Sequence, residues 1–237
     1  MDNDIQLGVV LPAAGIGSRL PGNTKKQYRK IAGKEIFIHT LSQIINVKYL
    51  KEIVIVLSKE DISDIKNIIT KYYPAQMSLI VFAEGGATRQ KSVLNGLHAL
   101  SSFINTVAIH DAVRPFASTE LFDKTVMAAR ISGGAIPVLP VKETIKSVHK
   151  NTIEKTLDRT TIFTAQTPQV FIKSNIIAAH ETADLNKHEC TDDSQVAELA
   201  GLPVTTLTGE ENNFKITSLA DIHFAEYLIS SGIIKIL

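Results

Sequence analysis

The chain has 237 residues, of which 44% are hydrophobic and 21% charged, and its formal net charge is +1. That length and apolar content suit a single α/β domain with a sizeable core, and exclude a disordered or fibrous chain. The near-balance of charge excludes a general nucleic-acid or membrane-surface binder, while leaving room for a local basic pocket. The one cysteine, Cys190, lies between Glu189 and Thr191 with no His/Cys partner at metal spacing. It cannot form an internal disulfide and reads as a bystander in a reducing compartment. The start, Met1-Asp2-Asn3-Asp4, is acidic where a signal peptide is basic, and no apolar run is long enough to span a bilayer. The expected location is the cytoplasm.

In chain order, residues 8–13 form an apolar run that stops at Gly15-Ile16-Gly17, the pattern of a buried parallel strand ending in a loop. A polar loop runs to about Gln27. Residues 35–45 are amphipathic, with Ile38, Leu41 and Ile45 on one face, and residues 52–57 (EIVIVL) read as a second buried strand. Helical spacing over 58–72, a strand over 78–83, and a helix over 88–100 with Val93, Leu97 and Leu100 in one stripe continue the alternation. A strand at 106–109 ends in His110-Asp111. Ser118 is placed to cap a helix over 121–131. Such alternation predicts βαβ units and a mostly parallel sheet flanked by helices.

Residues 141–158 break the rhythm. Polar and apolar residues alternate on both sides of His149-Lys150-Asn151, which describes a two-stranded hairpin. An isolated hairpin is marginal in water, so this one needs something to pack on, and a partner subunit is the natural candidate. The sheet pattern resumes at 164–171, and a helix over 218–231 closes the chain. No repeat, linker or low-complexity tract marks a boundary, so residues 1–237 are expected to form one domain.

Ligands of open α/β sheets bind beyond the carboxyl ends of the strands. The first such loop, Pro12-Ala13-Ala14-Gly15-Ile16-Gly17-Ser18-Arg19, lets backbone N–H groups turn toward an anion. It is not a dinucleotide fingerprint, whose third glycine would fall at Leu20, nor a P-loop, since Gly22 is followed by Asn23. What remains is a glycine loop followed by Arg19 and Lys26-Gln27. Those cations suit a triphosphate with its roughly four negative charges, although a solvated loop with surface cations would read the same.

Several further segments sharpen the pattern: Gly85-Gly86 with Arg89 and Ser92, His110-Asp111-Ala112-Val113-Arg114-Pro115, Pro140 to Lys146 (PVKETIK), Thr167-Pro168-Gln169, and Thr191-Asp192-Asp193. With the first loop they resemble the sugar-phosphate nucleotidyltransferases. Within that group they resemble the 2-C-methyl-D-erythritol 4-phosphate cytidylyltransferases of the non-mevalonate isoprenoid pathway, in the family's order over essentially the whole chain. One departure is that Lys25 stands where the family usually has proline.

The resemblance implies a nucleotidyltransferase fold with a dimerising hairpin arm, and transfer of CMP from CTP to methylerythritol phosphate with Mg²⁺. It implies catalytic roles for Arg19, Lys26 and Lys215 in charge stabilisation at the phosphates. It implies nucleotide contacts from Ala13, Ala14, Gly15, Gly17, Gly85, Gly86 and Ser92. Acceptor contacts would come from Asp111, Arg114, Thr144, Arg159, Thr167 and Thr191, with Thr144 and Arg159 reaching the neighbour's site across a two-fold axis. Asp111 is also the weaker candidate for a metal contact. From the residues alone, Lys215 could be a surface lysine, Gly85-Gly86 a simple turn, and Asp111 a helix cap. His110 reads as packed or hydrogen-bonded rather than as a general base. The nearest rival acceptor is ribitol or another pentitol phosphate, which Ala112 and Thr191-Asp192-Asp193 disfavour. A non-catalytic nucleotide-binding scaffold would be expected to have lost Arg19, Lys26, Arg159 and Lys215, and all four are present.

Overall fold

The computed structural model describes residues 4–15 and 25–234. Its elements run β1 (Leu7–Pro12), β2 (Lys30–Ile31), β3 (Lys34–Glu35), α1 (Ile36–Ile44), β4 (Leu50–Leu57), α2 (Ile62–Tyr72), β5 (Ile80–Glu84), α3 (Arg89–Ala99), β6 (Thr106–Ile109), α4 (Thr119–Ser132) and β7 (Gly134–Pro140). There follow β8 (Lys146–His149), β9 (Thr152–Thr156), β10 (Phe163–Ala165), β11 (Gln169–Ile172), α5 (Lys173–Leu185), α6 (Asp193–Leu199), β12 (Thr205–Thr208) and α7 (Leu219–Ser230).

An eight-stranded sheet organises the chain, in the order β10-β7-β11-β6-β1-β4-β5 with β12 paired to β7. β1 lies parallel to both β4 and β6, and β4 parallel to β5. This half is the doubly wound sheet that the βαβ alternation predicts. The other half is mixed, because β11 runs antiparallel to β6 and β7. The expected strand over 164–171 is really two, β10 and β11, separated by residues 166–168 with a cis Thr167-Pro168 bond. The strand expected from residue 78 begins at Ile80, after a 3₁₀ turn over Pro74–Leu79.

Strand alternation sends side chains to both faces, and both are covered. Val9, Leu11, Ile53 and Ile55 meet Phe37 and Leu41 of α1, Ile65 and Ile69 of α2, and Phe122 and Val126 of α4. Val10, Val54 and Val56 meet Val93 and Leu97 of α3, Ile176 and Ala179 of α5, and Val196 of α6. Gly96 allows α3 to lie close to the sheet, since a Cβ there would stand 2.6 Å from Val10 and 2.7 Å from Val56. A third cluster, including Ile31, Val113, Ile216 and Ile222, seats the segment before α7 against the strand-end loops.

Ser118 caps α4 as expected, accepting from the Leu121 N–H, and Ser218 with Asp221 forms a capping box on α7. The predicted hairpin is β8 and β9, whose turn residues Lys150 and Asn151 both adopt left-handed backbone. Its cross-strand pair Val148 and Ile153 is 58% and 60% exposed, so in one chain the arm leaves its apolar face uncovered. Among the described residues, no helix is long and apolar enough to cross a membrane.

Candidate active site

The carboxyl ends of β1, β4, β5 and β6 point to the same end of the sheet, and the loops after β1, β5 and β6 line a cleft of about 360 Å³. Pro12, Ala13, Ala14 and Gly15 come from the end of β1, Gly86 to Arg89 from the loop after β5, and Asp111 to Val113 from the loop after β6. Lys26 and Gln27 close one side and Lys215 another. A second compartment of about 240 Å³ adjoins it, lined by residues that include Arg114, Thr167, Gln169 and Thr191. Arg89, Asp111 and Lys215 line both compartments and so form their junction.

Small residues hold the first wall in shape. The Ala13 N–H donates to the Val56 carbonyl, and the Gln27 amide donates to the carbonyls of Ala13 (2.6 Å) and Gly15 (3.0 Å). Gly85 does not line the cleft: it sits behind it, where a Cβ would come within 2.4 Å of the Ala14 side chain. Ser92 lines the cleft, but its hydroxyl is engaged in shaping the loop. It accepts from the Gly86 N–H (3.0 Å) and donates to the Thr88 carbonyl (2.9 Å).

Asp111 is the electrostatic centre. Its carboxylate lies 2.8 Å from Lys215 Nζ, 3.4 Å from Arg114 Nε and 3.7 Å from Arg89 Nη2. Burial alone would raise its pKa, but Lys215, Arg89 and Arg114 outweigh that and hold it well below the usual carboxylate range. An anion matched by three cations can accept hydrogen bonds from a ligand's hydroxyls. Among the described residues no three His, Cys, Asp or Glu side chains cluster as a metal site.

The neighbours of Asp111 are fixed in turn. Its N–H donates to Thr167 Oγ1 (3.1 Å), whose hydroxyl donates to His110 Nδ1 (2.9 Å). His110 Nε2–H then donates to the Arg114 carbonyl (3.1 Å), so both ring nitrogens are used and neither is available as a base. Burial lowers the His110 pKa to about 4 and keeps the ring neutral. Arg114 is further held by the Asn213 carbonyl at 2.6 Å, and the buried Asn213 amide donates to the Thr167 carbonyl, anchoring the segment that carries Lys215.

Arg89 and Asp193 belong to this network although the motif reading assigned neither a role. Arg89 Nη2 lies 2.8 Å from the Asp193 carboxylate, which is fully buried at the start of α6 with His180 at 3.3 Å on its other oxygen. The three-residue motif thus divides its work. Thr191 lines the second compartment, Asp192 caps α6 by accepting from the Gln195 N–H, and Asp193 holds Arg89.

Lys26 and Lys215, Ala13, Ala14, Gly15, Gly86, Ser92, Asp111, Arg114, Thr167 and Thr191 are brought together at the two compartments. Gly17 and Arg19 lie outside the described residues. Thr144 and Arg159 are exposed near the arm and line neither compartment of their own chain, with Arg159 donating to the Lys142 carbonyl. Lys25 turns away from the cleft to Asp61 and Ser58.

Fold and site define a nucleotidyltransferase-type protein: a glycine-bearing loop at the end of the first strand opens onto a cation-lined cleft, and a second compartment shares its charged floor. Comparison with known proteins gives the family. The chain belongs to the 2-C-methyl-D-erythritol 4-phosphate cytidylyltransferase family, whose sequence profile matches residues 7–231. It is 40% identical over 223 residues to the 2-C-methyl-D-erythritol 4-phosphate cytidylyltransferase of Microcystis aeruginosa, covering 94% of this chain and 98% of that one. It is 38% identical to the bifunctional enzyme IspD/IspF of Rhizobium rhizogenes, where 97% of this chain spans 58% of the relative. The solved 4-diphosphocytidyl-2C-methyl-D-erythritol synthase of Anaerococcus prevotii superposes with a TM-score of 0.85 at 33% identity, over 96% of this chain and 97% of that one.

Two outcomes are expected. His110 has a pKa of about 4 when folded against 6.5 ordinarily, so the unfolded chain takes up the proton first as pH falls. The stability from its neutral burial is complete above pH 6.5, declines as pH falls toward 4, and the total loss is roughly 3 kcal/mol. Urea unfolding at pH 7 and 4.5 should show that decline in the wild type and a clearly smaller one in His110→Asn; equal declines would contradict it. Asp193→Ala removes the nearer carboxylate of Arg89, leaving it Asp111 at 3.7 Å, and should cost about 2 kcal/mol of unfolding free energy. A loss below about 1 kcal/mol would show that this pair does not hold the junction.

Proposed function

We propose that the protein transfers CMP from CTP to 2-C-methyl-D-erythritol 4-phosphate, giving 4-diphosphocytidyl-2-C-methyl-D-erythritol and pyrophosphate. The observation that carries this reading is the pair of adjoining compartments with a shared floor of Arg89, Asp111 and Lys215. A reaction that joins a nucleotide to a phosphorylated polyol needs two such sites meeting where the new bond forms. Family membership supports the choice of both substrates.

In this scheme the cytosine and ribose occupy the first compartment, against Ala13, Ala14, Gly15 and Gly86, with Ser92 holding the Gly86 loop. Gly85 allows the close packing behind Ala14, and Gly17 would extend the phosphate-facing backbone. An oxygen of the acceptor phosphate attacks the α-phosphorus. The new P–O bond forms as the bond to the bridging oxygen of the β-phosphate breaks, and that electron pair leaves with pyrophosphate. The nucleophile is already an anion at neutral pH, so the reaction needs no general base, in keeping with a neutral, fully bonded His110. The difficulty is to bring two anions together, and positioned cations meet it. Lys26 and Arg19 would hold the triphosphate, with Lys215 at the junction. Asp111 and Thr167 would take the acceptor's hydroxyls, beside Arg114 and Thr191. CTP is proposed to arrive as its Mg²⁺ complex, the ion carried by phosphate oxygens.

The acceptor phosphate would be completed by a second subunit. Thr144 and Arg159 line neither compartment of their own chain, and Val148 and Ile153 leave an apolar pair exposed on the arm. Both features suit a homodimer in which each arm lies across the partner, bringing Arg159 and Thr144 to the partner's acceptor site. The proposed setting is the cytoplasm.

The function is tested by pyrophosphate release from CTP and Mg²⁺ with methylerythritol phosphate or ribitol phosphate as acceptor. Release with the first alone is expected, and release only with the second would overturn the acceptor assignment. Lys26→Ala and Lys215→Ala should each lower kcat about a hundredfold or more, the scale of a lost transition-state charge contact. Near-normal turnover in either would remove its role. Deleting residues 142–155 should give a monomer in sizing measurements, and an intact dimer would contradict arm exchange.

A further inference from the structure

Two consecutive lysines, Lys25 and Lys26, follow the first loop, and the structure separates them completely. Lys26 lines the cleft. Lys25 Nζ instead lies 2.5 Å from Asp61 Oδ2 and donates to Ser58 Oγ at 2.7 Å, with Glu60 at 3.7 Å. The same Asp61 oxygen accepts from the Ser58 hydroxyl (2.6 Å) and the Tyr28 hydroxyl (2.8 Å). One carboxylate oxygen therefore gathers three donors, two of them from the segment 25–28 and one from Ser58, the first residue beyond β4.

The clasp is well placed to act on Lys26. The 3₁₀ turn Lys26–Tyr28 begins at Lys25, whose carbonyl accepts from the Tyr28 N–H at 3.0 Å. Gln27, inside that turn, is buried and donates to the Ala13 and Gly15 carbonyls. The turn is thus held on one side by the cleft wall and on the other by Asp61. Lys25 and Asp61 are about one-fifth exposed, so the pair is shielded more than a surface salt bridge. Burial would raise the Asp61 pKa, yet its bonds to Lys25, Ser58 and Tyr28 bring it below the ordinary value and keep the anion in place at neutral pH.

We propose that Asp61 is a positioning residue for Lys26. Through Lys25 and Tyr28 it fixes the turn that aims Lys26 into the cleft, and it keeps the adjacent Lys25 from taking the same phosphate in a competing geometry. An unpinned turn would offer two interchangeable ammonium groups on flexible stems, and neither would be preorganised for the transferring phosphoryl group. This rests on the reading of the cleft as a CTP site with Lys26 on the phosphates.

The experiment is a double-mutant cycle read by pyrophosphate release, with CTP varied at saturating methylerythritol phosphate and the reverse. Asp61→Ala should lower kcat/KM for CTP about tenfold while the KM for the acceptor stays within about twofold. In a Lys26→Ala background the same substitution should change kcat/KM for CTP by less than about twofold, because its effect runs through Lys26. Lys25→Ala, which removes the competing ammonium and keeps the Tyr28 tether to Asp61, should lose less than Asp61→Ala, and Lys25→Arg, which can still reach Asp61, should stay within about threefold of wild type. Asp61→Asn keeps the side chain's shape and serves if the alanine variant does not fold. Wild-type kinetics in the Asp61 variants, or an equal loss with and without Lys26, would overturn the positioning role while leaving the CTP reading intact. A wild-type protein that releases no pyrophosphate from CTP overturns that reading, and the positioning role with it.

Discussion

The site depends on one compensated charge. The Asp111 carboxylate is buried where two compartments meet, and a carboxylate there is tolerable only because Lys215, Arg114 and Arg89 surround it. Each of those cations is itself tied to a different part of the fold. Arg89 leads to Asp193 at the start of α6, Arg114 to the Asn213 carbonyl, and Lys215 to the segment seated by Ile216 on Val113. A single anion thereby gathers α3, α6, the loop after β6 and the segment before α7 at one point. Lys26, Arg89, Arg114 and Lys215 against Asp111, Asp192 and Asp193 leave one net positive charge across the two compartments, which suits the meeting of two phosphates.

The scaffold supplies position and the loops supply chemistry. β1, β4 and β6 are buried on both faces, the edge strand β5 partly so, and together they fix the strand ends, leaving their short loops free to carry glycines, alanines and charges. The mixed half of the sheet contributes the second compartment. β11 is wedged antiparallel between β6 and β7, and this brings Thr167 and Gln169 alongside Asp111. Without that insertion the fold would have a nucleotide cleft with no adjoining acceptor pocket.

The parallel half was legible because its strands are short apolar runs that stop at Gly15 soon after β1, at Ser58-Lys59 after β4, at Gly85-Gly86 after β5 and at His110-Asp111 after β6, and local pattern suffices for that. β7 was not assigned, because Pro137 and Pro140 argue against a strand. In the fold it nonetheless pairs with β10, β11 and β12. The split of residues 164–171 was hidden because both halves keep extended character. α5 buries one large apolar residue, Ile176, and otherwise Ala179, His180 and Ala183, a weaker stripe than the one that announces a helix face. The Arg89–Asp193 pair joins residues 104 positions apart, so no local signal could have placed it. The hairpin was legible from alternation around its turn. The direction of Lys25 was not, since two adjacent lysines look alike until Asp61 is seen beneath one of them.

The central claim is that nucleotide and acceptor occupy two compartments that meet at Asp111. A crystal structure with 4-diphosphocytidyl-2-C-methyl-D-erythritol bound tests it most directly. The account predicts the cytosine against Gly86 and Ala14, the methylerythritol beside Thr167 and Arg114, and the diphosphate between them at Lys215. Product lying wholly within one compartment, or away from Asp111, would contradict it.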